Sequence, residues 1–502
     1  MKILLVYPSW TGEYGLIAHF AKRAGVYPPL NLALLAAIAE EHGHDVTMID
    51  AEVDGIPMPQ LIKKALNTKP DIIALTGKSP FFHLAINFAR GIKAVTKDIP
   101  IVIGGQHITI MKEKALADCF DYGVAGECED TWPQFLKRVE RKEDVSSVEG
   151  ILYRKNGDIK FTGAHIFRRD LDKLPWPARH LLPMHKYRLG TLQGRKNFTS
   201  IQTVRGCPWK CIFCASEALN TTSIGKRSPR SVVAEMKFVV KRFGIKHFMM
   251  LDDVLTLDRP HITEICDLLI QEDLNITFEG STRANLINDE LAAKMKKAGL
   301  TRLSFGLETV DSELRKTMKK KVPLEYYTKA NEILGKYDIE ALNSVMLGLP
   351  GETRATIQKT LDFLKNDRHV KQANFAIAVP YPGTEFYDIA KAGKNGVKLM
   401  TEDFSEYRRY GTAVTTVNDL APRDLIELQN DGFVSIYSAP WRWKPMLRKH
   451  GFLGGMLMLW RVFKLAGRKA VGRIQSKTLR FPDLPNPLAY QPSKEARQGQ
   501  PL

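Results

Sequence analysis

Short apolar runs alternate with stretches of helical period along most of the chain. Lys2–Tyr7 (KILLVY), Val46–Ile49, Asp71–Leu75 (DIIAL), Pro100–Ile103 (PIVI) and the weaker Tyr122–Ala125 are continuous enough to be strands buried on both faces. Between them, Leu30–Glu41, Met58–Leu66, Phe81–Val95 and Asp130–Arg141 carry apolar residues at helical spacing. This alternation predicts a doubly wound, flavodoxin-like (Rossmann-type) α/β sheet over residues 1–150. Ligands of such sheets bind at the carboxyl ends of the strands. Here those ends are Pro8–Gly15, Thr76–Pro80, Gly104–His107 and Gly126–Glu129, rich in glycine and small polar residues.

Residues 151–198, which include Pro175, Trp176 and Pro177, lack a clear period and read as a connecting segment with room for a short hairpin. From Ser200 the alternation resumes. Ser200–Val204, Phe248–Leu251, Ile276–Glu279, Arg302–Phe305, Leu342–Met346 and Asn374–Ala378 read as strands. Arg230–Phe243, His261–Gln271, Asp289–Lys297, Tyr326–Lys336 and Thr353–Lys365 read as the helices between them. Six βα units in series predict a partial (β/α)6 TIM-like barrel over residues 199–395. Residues 396–502 read as a helical, basic carboxy-terminal region ending in a disordered tail.

Composition narrows the class. At 44% hydrophobic and 25% charged residues, the chain is neither disordered nor fibrous. Six cysteines in 502 residues are too few for a disulfide scaffold. The amino terminus has no signal-peptide pattern, so a cytoplasmic location is expected. The net charge of +18 is uneven: between Gly432 and Pro482 there are Lys and Arg residues but no acid. That stretch, interleaved with Trp441, Trp443 and Trp460, suits either a cap packed on the body or peripheral contact with an anionic membrane. Its longest uncharged apolar run is too short to cross a bilayer.

The sharpest chemical signal is Arg205-Gly206-Cys207-Pro208-Trp209-Lys210-Cys211-Ile212-Phe213-Cys214, directly after the first strand of the second series. The C-x3-C-x2-C spacing lets one loop wrap a metal centre with three thiolates. A structural zinc site would want four ligands from paired knuckles. Cys119, Cys128 and Cys266 stand alone and read as small buried hydrophobes. Three ligands on a four-iron cluster leave one iron open to substrate or cofactor.

With Phe213 in the aromatic slot before the third cysteine, this motif resembles the radical S-adenosylmethionine (SAM) superfamily. The resemblance implies a [4Fe-4S] cluster on Cys207, Cys211 and Cys214. Its open iron chelates the amino and carboxylate groups of SAM, and Phe213 packs beside the adenine. One-electron cleavage then yields a 5′-deoxyadenosyl radical that abstracts hydrogen from an unactivated carbon. By the same resemblance, Asp252 lines the SAM site, Arg283 pairs with the SAM carboxylate, and Glu308 accepts from its ammonium. Gly348–Thr353 brings backbone near the adenine or ribose, and Pro380–Thr384 follows the sixth strand.

Together with the first domain, the chain resembles the cobalamin (B12)-binding branch of that superfamily over about residues 1–400. Tyr27-Pro28-Pro29-Leu30, Gly104-Gly105-Gln106-His107 and Gly126-Glu127-Cys128-Glu129 carry the likeness. It implies cobalamin at the strand ends, near Thr76, Ser79, Gly104, Gly105, His107, Gly126 and Glu127. No D-x-H-x-x-G motif supplies a histidine to cobalt, so His107 is expected to be a loop hydrogen-bonding residue. The implied activity is methylation of an unactivated carbon of a small or lipid-like substrate, with a low-potential electron donor of the flavodoxin or ferredoxin type. The alternative is oxidative cyclisation, as in the anaerobic magnesium-protoporphyrin monomethyl ester cyclases. A tRNA methylthiotransferase would carry extra amino-terminal cysteines and a carboxy-terminal RNA-binding barrel, and neither is visible, so nucleic acid is not an expected partner.

Overall fold

The computed structural model describes residues 1–13, 26–163, 167–191 and 194–443, with isolated positions 447, 455, 456 and 460 beyond them. Five parallel strands, β1 (Lys2–Tyr7), β2 (Asp45–Asp50), β3 (Ile72–Thr76), β4 (Ile101–Gly104) and β5 (Tyr122–Val124), pair in the order β2-β1-β3-β4-β5. Leu4 stands opposite Thr47 on one side and Ile73 on the other. The strands read as unbroken apolar runs because both faces are covered. Leu4, Val6, Ile73 and Leu75 pack with Leu61, Phe88 and Ile92, while Ile3, Leu5, Ile72 and Ala74 pack with Leu32, Trp132 and Phe135.

The sheet continues past residue 150, where the connecting segment was expected to begin. A hairpin of β6 (Ile151–Lys155) and β7 (Asp158–Phe161) adds two antiparallel strands beside β5. Ile151 and Leu152 are fully buried in the two opposite cores, which ties the hairpin to the sheet. A second hairpin, β8 (Arg188–Thr191) with β9 (Gly194–Asn197), lies further along the connection.

The second sheet begins at β10 (Thr199–Ile201). A short antiparallel ribbon, β11 (Val204–Arg205) against β12 (Gly225–Lys226), brackets the cysteine loop. Then follow β13 (His247–Met250), β14 (Thr277–Thr282), β15 (Leu300–Glu308), β16 (Glu340–Leu347) and β17 (Gln372–Ile377). These five and β10 are all parallel, in the order β10-β13-β14-β15-β16-β17, an open barrel of six strands. The helices between them are delimited by local chemistry. The helix Pro229–Phe243 starts with the Ser228 hydroxyl accepting from the Ser231 amide and stops at Gly244 with φ +66°.

Beyond the barrel the chain is not purely helical, as had been expected. β18 (Val397–Leu399) pairs with β19 (Thr415–Val417) before the helix Pro422–Tyr437. The strap between those strands runs back over the first domain. Anchored to β17, where Ile377 donates to the Arg409 carbonyl at 2.9 Å, it touches the first domain where Phe404 meets the His107 ring edge-on at 5.1 Å and Arg408 Nη1 donates to the Glu13 carbonyl. Of the basic stretch, Arg442 is buried, donating to the carbonyls of Val370 and Ile436. Most of the remainder, with the membrane contact read from it, lies outside the described residues. Among the described residues no helix is long and apolar enough to cross a membrane.

The connection is locked to the barrel by a buried charge pair. Arg179 Nη1 meets Glu235 Oε1 at 2.5 Å with both side chains 1% exposed, and Arg179 Nη2 donates to the Ser200 carbonyl at 2.8 Å. Removing one partner strands a charge in the core. Glu235→Leu should therefore destabilise the fold by about 3–5 kcal/mol, seen as a lowered unfolding transition in scanning calorimetry. Surface Glu313→Leu should leave that transition nearly unchanged.

Candidate functional site

Gly206 opens the cysteine loop at φ +97°, and a Cβ there would lie 2.1 Å from the Ser223 carbonyl oxygen, so only glycine fits. The loop is then pinned from two sides. Ile212 donates to the Met318 carbonyl at 3.3 Å, and its own carbonyl accepts from Phe386 at 2.9 Å. A tight turn joins Cys211 to Cys214, whose amide donates to the Cys211 carbonyl at 3.0 Å. All three thiols are free and partly buried. Burial pushes the Cys207 thiol up, with Asp253 and Cys211 adding to it; burial, then Asp253 and the other two thiols, push Cys214 up to about 11. The Trp209 and Ser216 amides point at Cys207 and Cys214 and favour the charged forms. Cys207 and Cys214, both pushed towards the neutral thiol by burial and both within electrical reach of Cys211, suit a cationic iron–sulfur group that would offset the thiolate charge. Among the described residues no three His, Cys, Asp or Glu side chains gather about a single-ion site.

Two cations flank this loop. Arg283, 8% exposed, lies over the Trp209 ring at 4.1 Å, and its buried Nε has no hydrogen-bond partner. An unanswered guanidinium donor beside the thiols fits a ligand carboxylate. On the other side, Lys320 Nζ sits 2.7 Å from Glu308 Oε1 and 5.8 Å from the centre of the Phe213 ring. Burial opposes the Lys320 charge, but Glu308 outweighs it and holds the ammonium protonated. The pair exists because β15 bulges between Gly306 and Glu308, which leaves Glu308 at φ +62°. A side chain at Gly306 would meet the Glu308 carboxylate at 2.0 Å. Glu308 is thus brought to the site already paired, a partner the sequence did not disclose.

Asp252 is placed differently from expectation. It is 3% exposed, and Oδ1 accepts from the Thr203 and Val204 amides at 2.7 and 3.1 Å while Oδ2 accepts from the Thr203 hydroxyl at 2.5 Å. Its structural work is to clamp the chain entering the cysteine loop onto the end of β13. Glu352 does the same after β16: Oε2 accepts from Gly348 and Leu349 at 2.6 and 3.1 Å, and the carboxylate is fully buried. Burial pushes its carboxyl up to about 8.

The segments after β1 and β3 border a shallow cleft at the β1/β3 switch point, lined by Tyr7, Pro8, Trp10, Thr76, Lys78 and Phe81. The Trp10 and Phe81 rings lie 5.2 Å apart. The buried Glu52 carboxylate shapes one wall by accepting from the Trp10 and Thr11 amides at 2.7 and 2.9 Å. Gly105, at φ +97°, lets β4 approach Thr76, where a Cβ would be 2.6 Å from the hydroxyl. Apolar and aromatic side chains edged by Thr76 and Lys78 give this rim the chemistry to border one part of a large amphipathic ligand such as cobalamin. Gly104 ends β4 and Gly126, at φ +91°, donates to the Thr109 hydroxyl at 2.8 Å. Three residues expected near the corrin have their side chains engaged within the protein. His107 is 4% exposed, sits 3.0 Å from the Ser79 hydroxyl, and is held neutral by burial with its pKa down to about 4. Ser79 is occupied by that contact, and Glu127 faces Arg205 at 3.3 Å.

Two outcomes follow for the buried groups. Lys320→Met should cost the cluster-free protein about 3–5 kcal/mol by stranding Glu308, and adding Glu308→Gln should recover much of the lost melting temperature. The Glu352 proton is held more tightly in the folded chain than at its ordinary 4.5, so its stabilisation is full at low pH and lost as pH rises through about 8. Glu352→Gln should flatten the decline in melting temperature between about pH 5 and 8 relative to the parent protein.

Residues 201–364 match the Radical SAM superfamily and residues 17–136 match the B12 binding domain. An uncharacterised methyltransferase of Pyrococcus horikoshii is 29% identical over 460 residues, covering 90% of this chain and 96% of its own. The anaerobic magnesium-protoporphyrin IX monomethyl ester cyclase of Rubrivivax gelatinosus is 28% identical over 416 residues, 81% of this chain and 72% of its own. The radical S-adenosylmethionine methyltransferase TsrM of Kitasatospora setae, solved with cobalamin and a [4Fe-4S] cluster, superposes with a TM-score of 0.68 at 16% identity, covering 87% of this chain and 88% of that one. The chain carries a B12 binding domain ahead of a Radical SAM superfamily domain.

Proposed function

We propose that this protein methylates an unactivated carbon of a small-molecule substrate held between cobalamin and SAM. One observation carries the reading: the carboxyl edges of the two parallel sheets meet. A Cβ at Gly383, after β17, would come 2.8 Å from Ile110, just past β4, and Arg205 before the cysteine loop reaches the loop after β5. When bound, the cluster and SAM supply one-electron bond cleavage, and cobalamin supplies a methyl carrier.

The chain's residues divide the rest of the work. Cys207, Cys211 and Cys214 hold the cluster, and Arg283 receives the SAM carboxylate on the face opposite Trp209. Phe213 borders the adenine. Glu308 orients the SAM ammonium while Lys320 holds its carboxylate in place. Trp10, Phe81, Lys78 and Thr76 border the corrin. Reduction needs an external low-potential donor of the flavodoxin or ferredoxin type. Methyl transfer is supported by the similarity to the Pyrococcus methyltransferase over nearly its full length. A second reading, radical cyclisation, is favoured by the similarity to the Rubrivivax cyclase.

The two readings part on the fate of the methyl group. Reconstituted, reduced enzyme would be given SAM with a labelled methyl group and a metabolite extract as substrate pool. Methylation should release S-adenosylhomocysteine together with 5′-deoxyadenosine and put label in a product, and Cys207→Ala should abolish the 5′-deoxyadenosine. Label retained wholly in methionine, without S-adenosylhomocysteine, contradicts methylation and supports cyclisation.

A further inference from the structure

Arg205 is the residue two positions before the first thiol, and its side chain leaves its own domain. Nη1 lies 2.8 Å from Glu129 Oε1 and 3.3 Å from Glu127 Oε1, with the three side chains 16%, 8% and 10% exposed. On the barrel side its Nε donates to Gln202 Oε1 at 3.3 Å. Both carboxylates belong to the four-residue loop Gly126–Glu129 at the carboxyl end of β5. That loop is itself fixed from both ends. Gly126 donates to the Thr109 hydroxyl at 2.8 Å, and Glu127 Oε2 accepts from the Arg168 amide at 2.8 Å.

We propose that Arg205, Glu127 and Glu129 form a positioning clamp that couples occupancy of the cobalamin domain to the geometry of the cluster loop. This inference rests on the two-cofactor reading above. A guanidinium fork held at low exposure between two carboxylates has little freedom to follow one domain without the other. The connection to Cys207 is short and stiff. Val204 and Arg205 are paired with Lys226 and Gly225, and Gly206 has no room to swing because a Cβ there would already strike Ser223. A displacement of the β5 loop is therefore passed within two residues to the first thiol. In the other direction, a cluster that fixes the cysteine loop also fixes the rim of the cobalamin cleft. Coupling of this kind is reciprocal, so either cofactor should raise affinity for the other by the same factor.

The clamp is read out by binding, not turnover. Hydroxocobalamin is titrated by its absorption into full-length protein with the cluster reconstituted, and into the same protein without iron and sulfide. The parent protein should bind hydroxocobalamin at least about fivefold more tightly when the cluster is present. In Arg205→Gln the two affinities should coincide. Glu127→Gln with Glu129→Gln, which breaks the clamp from the other domain, should give the same loss, and combining it with Arg205→Gln should add nothing. Should Arg205→Gln fail to fold, the carboxylate variant alone decides. Equal affinities in the parent protein, or an undiminished ratio in the carboxylate variant, would overturn the clamp while leaving the two-cofactor reading intact. A parent protein that takes up no hydroxocobalamin or no cluster would instead overturn that reading.

Discussion

A parallel sheet ends every strand on one edge, so its direction decides what the following loops can reach. This chain builds two such sheets and turns both edges inward. The first presents Pro8–Glu13, Thr76–Phe81, Gly104–His107 and Gly126–Glu129, and the second presents the cysteine loop, Arg283, Glu308 and Gly348–Glu352. The strap through Phe404 and Arg408 and the reach of Arg205 hold the edges together. A site between two large cofactors depends on that opposition. Were either sheet reversed, the thiols would face solvent and the cleft beside Trp10 would have nothing opposite it.

Loops with a fixed task need fixed backbones, and this protein fixes them with buried carboxylates. Glu52 gathers the amides after β1, Asp252 those after β10, and Glu352 those after β16. Each exchanges hydration for hydrogen bonds from backbone amides, which hold a loop in one shape where apolar contact alone would let it slide. Glu308 and Lys320 apply the same device to the SAM side of the site, and the bulge at Gly306 is what admits them.

Much of this was legible in the sequence, for reasons that differ by feature. The buried strands announce themselves because both faces are covered, as in KILLVY and DIIAL. The thiols were found because their spacing is local. The connection was read as having room for a short hairpin, but that Ile151–Phe161 extends the first sheet was not legible, because only Ile151 and Leu152 bury deeply while the following residues are partly or fully exposed. Asp252 and His107 were placed correctly at strand ends, but the direction of a side chain depends on neighbours far along the chain, Thr203 in one case and Phe82 and Phe404 in the other. Lys320 was hidden in the run Lys319-Lys320-Lys321. Its two neighbours are exposed and it alone turns inward. No local pattern distinguishes one lysine of three.

The central claim is that Cys207, Cys211 and Cys214 hold a cluster with one iron left for SAM. Electron–nuclear double resonance on the reduced, reconstituted protein, with SAM labelled by 15N at the amino group and 17O in the carboxylate, measures that directly. The account predicts hyperfine coupling of both labels to the cluster, lost when Arg283→Leu weakens the carboxylate contact or when any of the three cysteines is replaced. A cluster signal that shows no coupling to either label under saturating SAM would contradict it.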